Sequence, residues 1–187
     1  MDNEGWLCYN ILQGASMSKK YNAKPLRIRK SYSLFNSYVY LSGVKACYKY
    51  DSRVRKIFDE MPDGFDLVIG VLDRHHAALI TKLDGELQCK IVVDYISSNN
   101  SLQIMFKNLA SEEIVLGNQI SFFQAYTQGR LITVGDNLLA VKYIKMMMIV
   151  QSYLASIRQR KESLPESLPL EVAPAVVKSR VMFRGLL

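Results

Sequence analysis

Residues 121–157 decide the fold of this chain, and their sequence is SFFQAYTQGRLITVGDNLLAVKYIKMMMIVQSYLASI. The pattern predicts a short aromatic helix that ends at Gly129 and then a brief strand at 130–134. Asp136 is predicted to cap a long helix that ends near Arg158. That helix is apolar around most of its circumference, so it must be covered on more than one side or face an apolar cavity. The function therefore depends on what contacts this surplus apolar surface.

The composition is that of a soluble globular protein with a basic balance. The 187 residues are 49% hydrophobic and 22% charged, and the formal net charge is +7. One domain with a substantial core is expected from this length. The charge favours anionic partners, and lipid headgroups, nucleic acid and acidic proteins all meet that condition.

The cysteines and the absence of targeting signals predict a cytoplasmic protein, with peripheral attachment to a membrane left open. Cys8, Cys47 and Cys89 are far apart and lack the spacing of a zinc site, which favours reduced thiols. The chain starts with an acidic segment where a signal peptide would be basic. No bilayer-spanning helix is expected, because the most apolar run carries Lys142 and Lys145.

Three parts are predicted along the chain. They are an N-terminal arm at 1–30, an α+β domain at 31–159, and a Pro-containing linker with a C-terminal tail at 160–187. The arm ends in the basic segment KPLRIRK at 24–30. This segment is either a solvated lead-in to a helix or a docking site for lipid or nucleic acid.

Helices are predicted from capping residues and apolar spacing. Ser33 is a plausible N-cap for a helix that runs to about residue 50, and an amphipathic helix follows Ser52. Asn108 is predicted to cap a short helix that ends at Gly117. Asn118 is predicted to cap the next one.

From Phe65 the apolar period changes to two, which predicts strands. Residues 65–72 are apolar on both faces, as in a central strand. Asp84-Gly85 predicts a tight hairpin between strands at 77–83 and 86–93, and a fourth strand follows at 102–107. Hairpins joined by short turns predict a five-stranded, mainly antiparallel sheet with helices on one face, which is an α+β domain.

No pattern for nucleophilic, phosphate-binding or metal chemistry occurs in the sequence. His75 and His76 are adjacent and are interpreted as exposed turn residues. Glu112 and Glu113 are interpreted as the solvated face of a short helix. We therefore predict a non-catalytic protein with no cofactor and no metal.

Residues 60–157 resemble the sterol carrier protein type 2 (SCP2, lipid-transfer) domain. The resemblance rests on LQIMFK at 102–107, on Ser121-Phe122-Phe123, on Gly129-Arg130-Leu131 and on VGDN at 134–137. The residues 124–128 are extra relative to that family. The paired Phe, the Gly-Asp break and the added C-terminal helix also resemble bacterial relatives that assist isoprenoid quinone synthesis.

The resemblance implies a sheet covered on one face by helices, with an apolar tunnel between them. The predicted function is binding and transfer, or presentation, of a hydrophobic lipid-like ligand: a fatty acyl chain, a sterol-like lipid or an isoprenoid quinone. The methionines at 146–148 would either pack in a core or line an adaptable cavity. The predicted tunnel residues are Ile69, Leu79, Ile91, Ile104, Phe122, Phe123, Tyr126, Leu139, Tyr143, Met146, Met147 and Val150.

The alternative function is a protein-interaction or regulatory module that uses the apolar surface for a homodimer or another partner. Nucleic-acid binding ranks last, because the basic residues are scattered. Peripheral contact with an anionic membrane is predicted to use the basic arm together with Arg53, Arg55 and Lys56. The tail is predicted to cover the tunnel mouth or a second subunit through Val176, Val177, Val181, Met182 and Phe183.

Overall fold

The computed structural model describes residues 26–72, 76–96, 98–157 and 168–184. The helices in these ranges are α1 (Leu26–Tyr50), α2 (Ser52–Asp59), α3 (Leu109–Leu116), α4 (Phe122–Thr127), α5 (Asn137–Ile157) and α6 (Pro174–Arg184). The strands are β1 (Asp66–Val71), β2 (His76–Leu83), β3 (Glu86–Val93), β4 (Ser101–Phe106) and β5 (Leu131–Val134). The predicted α+β class is confirmed.

The five strands form one sheet in the order β3-β2-β1-β4-β5. Neighbouring strands are antiparallel except β1 and β4, which are parallel in a register that joins Asp66 to Ser101. The sheet is therefore mixed. The connection from β3 to β4 is the turn-rich loop that the sequence predicts at 94–101, but the sequence pattern did not reveal that this loop returns the chain to the end of the sheet where β1 begins.

That connection crosses the outer face of the sheet, opposite the helices. Tyr95 in it packs on the small apolar cluster of Val68, Ala77 and Leu79, and its hydroxyl donates to Asp66 Oδ2 at 3.0 Å. Asp66 also accepts from Thr81 Oγ1 at 2.6 Å. Tyr95 thus covers part of the outer face together with Val92 of β3, and its hydrogen bond to Asp66 fixes the connection on the sheet.

The side of the sheet that faces the helices carries the main core. Leu67, Ile69 and Val71 of β1 contribute to it, while Val68 faces the other way. Both faces of β1 are therefore buried, and its prediction as a central strand is confirmed. The hairpin between β2 and β3 is also confirmed. Asp84 and Gly85 both have positive φ, at 53° and 77°. Two-residue turns with this backbone conformation match the twist of the two strands that they join.

The predicted caps of α3 and α5 are confirmed. Asn108 Oδ1 accepts a hydrogen bond from Ser111 N at 2.9 Å. Asp136 Oδ1 accepts from Leu138 N at 2.7 Å and from Leu139 N at 3.1 Å. The backbone N–H groups in the first turn of a helix have no partner within the helix. The side-chain oxygens of Asn108 and Asp136 accept hydrogen bonds from such groups.

Two other predicted caps are wrong. Helix α1 begins at Leu26, so Ser33 lies within the helix, where it is fully buried. The cap of α4 is Ser121, whose hydroxyl accepts from Gln124 N at 3.0 Å. Asn118 instead adopts a left-handed backbone conformation, with φ of 61°, in the turn after α3.

Helix α5 is enclosed by the rest of the chain. All residues from 146 to 155 are buried, so this part of the helix has no wet face. The sheet, α1, α2, α4 and α6 all contact it. The contact with α1 is close, because a Cβ at Gly43 would lie 3.2 Å from Val150 and 3.3 Å from Leu154.

By length and composition alone, α5 is apolar enough to cross a membrane. However, 72% of its most apolar window is buried inside the protein, which is the behaviour of a core helix. The surplus apolar surface seen in the sequence is therefore covered mainly by protein.

Gln151 supplies the polar contacts that connect α5 to α3 and α4. It is 1% exposed. Its Nε2 donates to Val115 O and to Ile120 O, both at 2.8 Å. Its Oε1 accepts from Phe122 N at 3.1 Å. The side-chain amide of Gln151 thus forms hydrogen bonds with three backbone groups in the segment that runs from α3 into α4.

We predict that Gln151→Leu lowers the free energy of unfolding by about 2–4 kcal/mol, because it leaves three buried backbone groups unpaired. Urea denaturation measures this. The matched control is Gln88→Leu at an exposed position of β3, which is expected to change stability by no more than about 0.5 kcal/mol. Equal, small effects for the two variants would contradict the role of Gln151.

Candidate hydrophobic binding site

Ten of the twelve predicted tunnel residues meet in one cluster between the sheet and the helices. Seven of them are buried there: Ile69, Ile104, Phe122, Tyr143, Met146, Met147 and Val150. Three are partly buried and pack against the cluster: Ile91, Tyr126 and Leu139. The structure does not bring in Leu79, which lies on the outer face of the sheet, or Phe123, which is 39% exposed.

Aromatic rings gather at two places in this interior. The ring of Phe122 lies 5.3 Å from that of Tyr40 and 6.0 Å from that of Phe106. The ring of Tyr143 stacks on that of Phe65 at 6.2 Å. The predicted tunnel residues did not include Tyr40, Phe65 and Phe106. The helical spacing in α1 could have identified Tyr40, and the alternation in β4 could have identified Phe106.

The methionine run lies inside this interior. Met146 and Met147 are fully buried, and Met148 is 9% exposed. Tyr40 donates a hydrogen bond from its hydroxyl to Met147 O at 2.7 Å, so α1 and α5 are fixed together at the methionines. Unbranched thioether side chains adapt to apolar shapes more readily than branched ones. The interior therefore combines a fixed frame with adaptable side chains.

The buried face of α1 changes character along its length. Ser33, Asn36 and Ser37 are buried in its first part, and apolar residues follow from Tyr40 onward. Ser33 Oγ lies 3.2 Å from His76 Nε2. The interior is therefore polar at one end of α1 and apolar beyond it. His76 begins β2 and makes this contact, so it is not the exposed turn residue that was predicted, whereas His75 lies outside the described residues.

The prediction of a solvated Glu112-Glu113 face is wrong. These residues are 2% and 4% exposed, and Ser37 Oγ donates to Glu112 Oε1 at 3.5 Å. Helix α3 packs against α1, α4 and β4 at once. A short helix enclosed in this way has no wet face, and local sequence alone does not reveal such packing.

The C-terminal segment is held on the protein by a polar cluster. The hydroxyl of Tyr153 donates to Asp51 Oδ2 at 3.0 Å and accepts from Glu171 N and Val172 N. Arg53 forms an ion pair with Asp51 at 2.7 Å and with Glu171 at 3.2 Å. Its guanidinium also donates to Pro169 O at 2.8 Å. We call these four side chains (Asp51, Arg53, Tyr153 and Glu171) the tail clamp.

The charge state of Asp51 suits this role. Burial alone would raise the pKa of its carboxyl, but hydrogen bonds from Arg53 and Tyr153 outweigh burial and lower that pKa. The carboxylate is therefore held in its ionised form, which is the form that accepts these hydrogen bonds.

Two of the five tail residues that were predicted to cover an apolar surface pack against the domain of the same chain. Val177 is fully buried, and Val181 is partly buried against the core, while Val176 remains 38% exposed. The side chains of Met182 and Phe183 lie outside the described residues. Helix α6 thus packs across α1 and α5 within the same chain.

The basic residues predicted to meet a membrane are partly used elsewhere. Arg53 belongs to the tail clamp, and the guanidinium of Arg55 donates to Tyr48 O and Lys49 O at the end of α1. Lys56 is exposed. The pKa of the nearby Glu60 carboxyl is lowered mainly by Lys142, and the charge of Lys56 lowers it further.

The described cysteines are poor nucleophiles. Burial raises the pKa of both the Cys47 and the Cys89 thiols to about 12, and the thiolate is the reactive form. In the ranges that the structure describes, no group of three or more His, Cys, Asp or Glu side chains is placed to hold a metal ion.

The number of strands and the helices on one face of the sheet are those that the resemblance to the SCP2 domain implied, whereas the parallel pair of β1 and β4 departs from an antiparallel sheet. No protein-family model and no curated protein matches the chain. A solved structure titled "UbiJ-SCP2 Ubiquinone synthesis protein" matches with a TM-score of 0.38 and 10% sequence identity, over 69% of this chain and 97% of that chain. A shared fold does not establish a shared function. The function is therefore inferred from the residues of the interior.

We predict that Tyr153→Phe loosens the C-terminal segment without unfolding the domain. The amides of Glu171 and Val172 lose their acceptor, so their hydrogen exchange should accelerate by about tenfold or more. Hydrogen exchange followed by mass spectrometry measures this. Tyr38→Phe, at an exposed ring on α1, is the control. Unchanged exchange at residues 168–172 in Tyr153→Phe would refute the clamp.

Proposed function

We propose that this protein binds a hydrophobic, lipid-like ligand in the interior between the sheet and α5, and that it carries or presents this ligand without catalysing a reaction. The observation that carries the proposal is that Met146 and Met147 lie in one buried apolar cluster with residues from three strands and a second helix. The strands supply Ile69, Ile91 and Ile104, and helix α4 supplies Phe122.

The proposal is supported by the chemistry of the interior. Ligand sites for small molecules are mostly apolar and carry a few polar groups that fix orientation. This interior is apolar along α5 and becomes polar at the start of α1. Burying apolar ligand surface contributes about 25 cal/mol per Å², which supplies affinity without specific contacts. An acyl, sterol-like or isoprenoid chain meets these conditions.

Solvent extraction of the purified protein followed by mass spectrometry tests the proposal first. A co-purifying lipid, or binding of an added hydrocarbon, is the expected result. Absence of any co-purifying lipid, together with no binding of acyl, prenyl or alkane probes, would overturn it.

We predict that Met147→Leu lowers affinity for a bound alkane or acyl probe by about fivefold, because a branched side chain adapts less well to the ligand. The substitution conserves volume, so stability should fall by less than about 1.5 kcal/mol. Met105→Leu is the matched control, since Met105 lies beside Gly70 on the outer face of the sheet. Equal loss of affinity in both variants would place the ligand elsewhere.

A second candidate function is attachment to an anionic membrane through α1. The helix has basic residues and no acidic residue among its 25 positions. Phe35 and Tyr38 are 59% and 55% exposed, and Leu34 is 38% exposed beside them. Exposed aromatic and apolar residues on a basic helix suit the interface of an anionic bilayer. Such attachment would bring a lipid carrier to the source of its ligand.

Co-sedimentation with vesicles tests this attachment. The protein should bind phosphatidylserine-containing vesicles more strongly than phosphatidylcholine vesicles, and the Phe35→Ala/Tyr38→Ala double variant should lose about fivefold or more of that binding. Leu138→Ala, at an exposed leucine of α5, is the control. If the double variant changes the mass measured by light scattering and leaves vesicle binding unchanged, the patch is a protein interface instead.

A further inference from the structure

One buried side chain in the polar part of α1 is not satisfied by the protein. Asn36 is 2% exposed. Neither its Oδ1 nor its Nδ2 has a hydrogen-bond partner among the residues that the structure describes. An unsatisfied buried polar group is costly, and in native proteins each such group calls for an explanation.

The position of Asn36 connects it to the proposed ligand site. It lies on the buried face of α1, three residues after Ser33 and four before Tyr40, so these three residues share one face of the helix. Tyr40 contacts Phe122 and Met147 inside the apolar interior. The amide therefore lies one helical turn from the apolar cluster, in the segment where the buried face is polar.

We propose that Asn36 binds the polar head of the ligand and that this head is a hydroxyl group. The inference rests on the proposed function. An asparagine amide offers an acceptor at Oδ1 and a donor at Nδ2. A hydroxyl donates to the first and accepts from the second, so one small group satisfies both atoms.

Head groups that lack a hydrogen-bond donor satisfy only one of the two atoms of the Asn36 amide. A carboxylate, ester, ether or ketone only accepts hydrogen bonds, so it leaves Oδ1 without a donor. A site that is built to pair with a hydroxyl rejects the analogue that lacks it, because the buried polar group then stays unpaired. Among heads that carry both a donor and an acceptor, a hydroxyl is the smallest, so the proposed ligand class is a long-chain or polycyclic alcohol, or a phenol with an apolar tail.

The apolar residues beyond Tyr40 agree with such an amphiphile. Leu41, Val44 and Cys47 continue the buried face of α1, and Met147 lies next to the Tyr40 hydroxyl. A head group at Asn36 directs the chain of the ligand along these residues, toward the middle of α5.

Isothermal titration with two probes of equal chain length tests the inference: 1-decanol, which donates and accepts, and decyl methyl ether, which only accepts. The wild-type chain should bind the alcohol at least about tenfold more tightly than the ether. In Asn36→Leu this preference should fall to within about threefold. Gln88→Leu, which removes an amide at an exposed position of β3, is the control, and it should keep the preference.

Asn36→Leu replaces an unsatisfied amide by an apolar group of similar size, so thermal unfolding should show a variant at least as stable as the wild type. As a measurement that needs no variant, the side-chain amide resonances of Asn36 should shift when 1-decanol is added and should shift less with the ether.

Each outcome decides a different point. If neither probe binds, the proposed function fails. Two results would refute the role of Asn36 and leave the proposed function standing. They are equal binding of both probes to the wild type, and an Asn36→Leu variant that keeps the preference for the alcohol. The partner of the amide would then be a buried water. A preference that Asn36→Leu abolishes establishes the site.

Discussion

The burial of α5 on every side is the constraint on which the remaining elements depend. Residues 146–155 have no exposed face, so the sheet, α1 and α6 must all be positioned to cover them. Gly43 allows α1 to approach Val150 and Leu154 closely. Gln151 supplies the polar partners that α3 and α4 need where they meet α5. Helix α5 is thus both the centre of the core and the wall of the proposed ligand site.

The tail clamp makes the C-terminal segment part of the same enclosure. Tyr153 is a residue of α5 itself, and its hydroxyl connects Asp51 to the backbone of residues 171–172. Helix α6 follows this segment and packs on α1 and α5, so the clamp holds the chain at the start of that cover. The docking of the tail and the proposed ligand site therefore involve the same helix, α5, although the clamp lies apart from Asn36.

Local patterns predicted most of the fold, because their signals lie within a few neighbouring residues. The caps at Asn108 and Asp136, the Asp84-Gly85 hairpin and the central strand β1 are all of this kind. The failures are long-range. The parallel pairing of β4 with β1 depends on a connection across the sheet, and the burial of Glu112 depends on α1. For the candidate site, alternation placed Ile104 on the buried face of β4, but the face on which Leu79 lies depends on the register of β2, and nothing local marked Asn36.

A spin-labelled hydrocarbon tests most directly the claim that the interior beside α5 holds the ligand. The chain has eight methionines, and their methyl groups can be observed by NMR after ¹³C labelling. Addition of a nitroxide-labelled decane is predicted to broaden the methyl signals of Met146 and Met147 strongly and that of Met105 little, since Met105 lies on the opposite face of the sheet. Broadening of Met105 without Met146 and Met147, or broadening of none of the eight, would contradict the account.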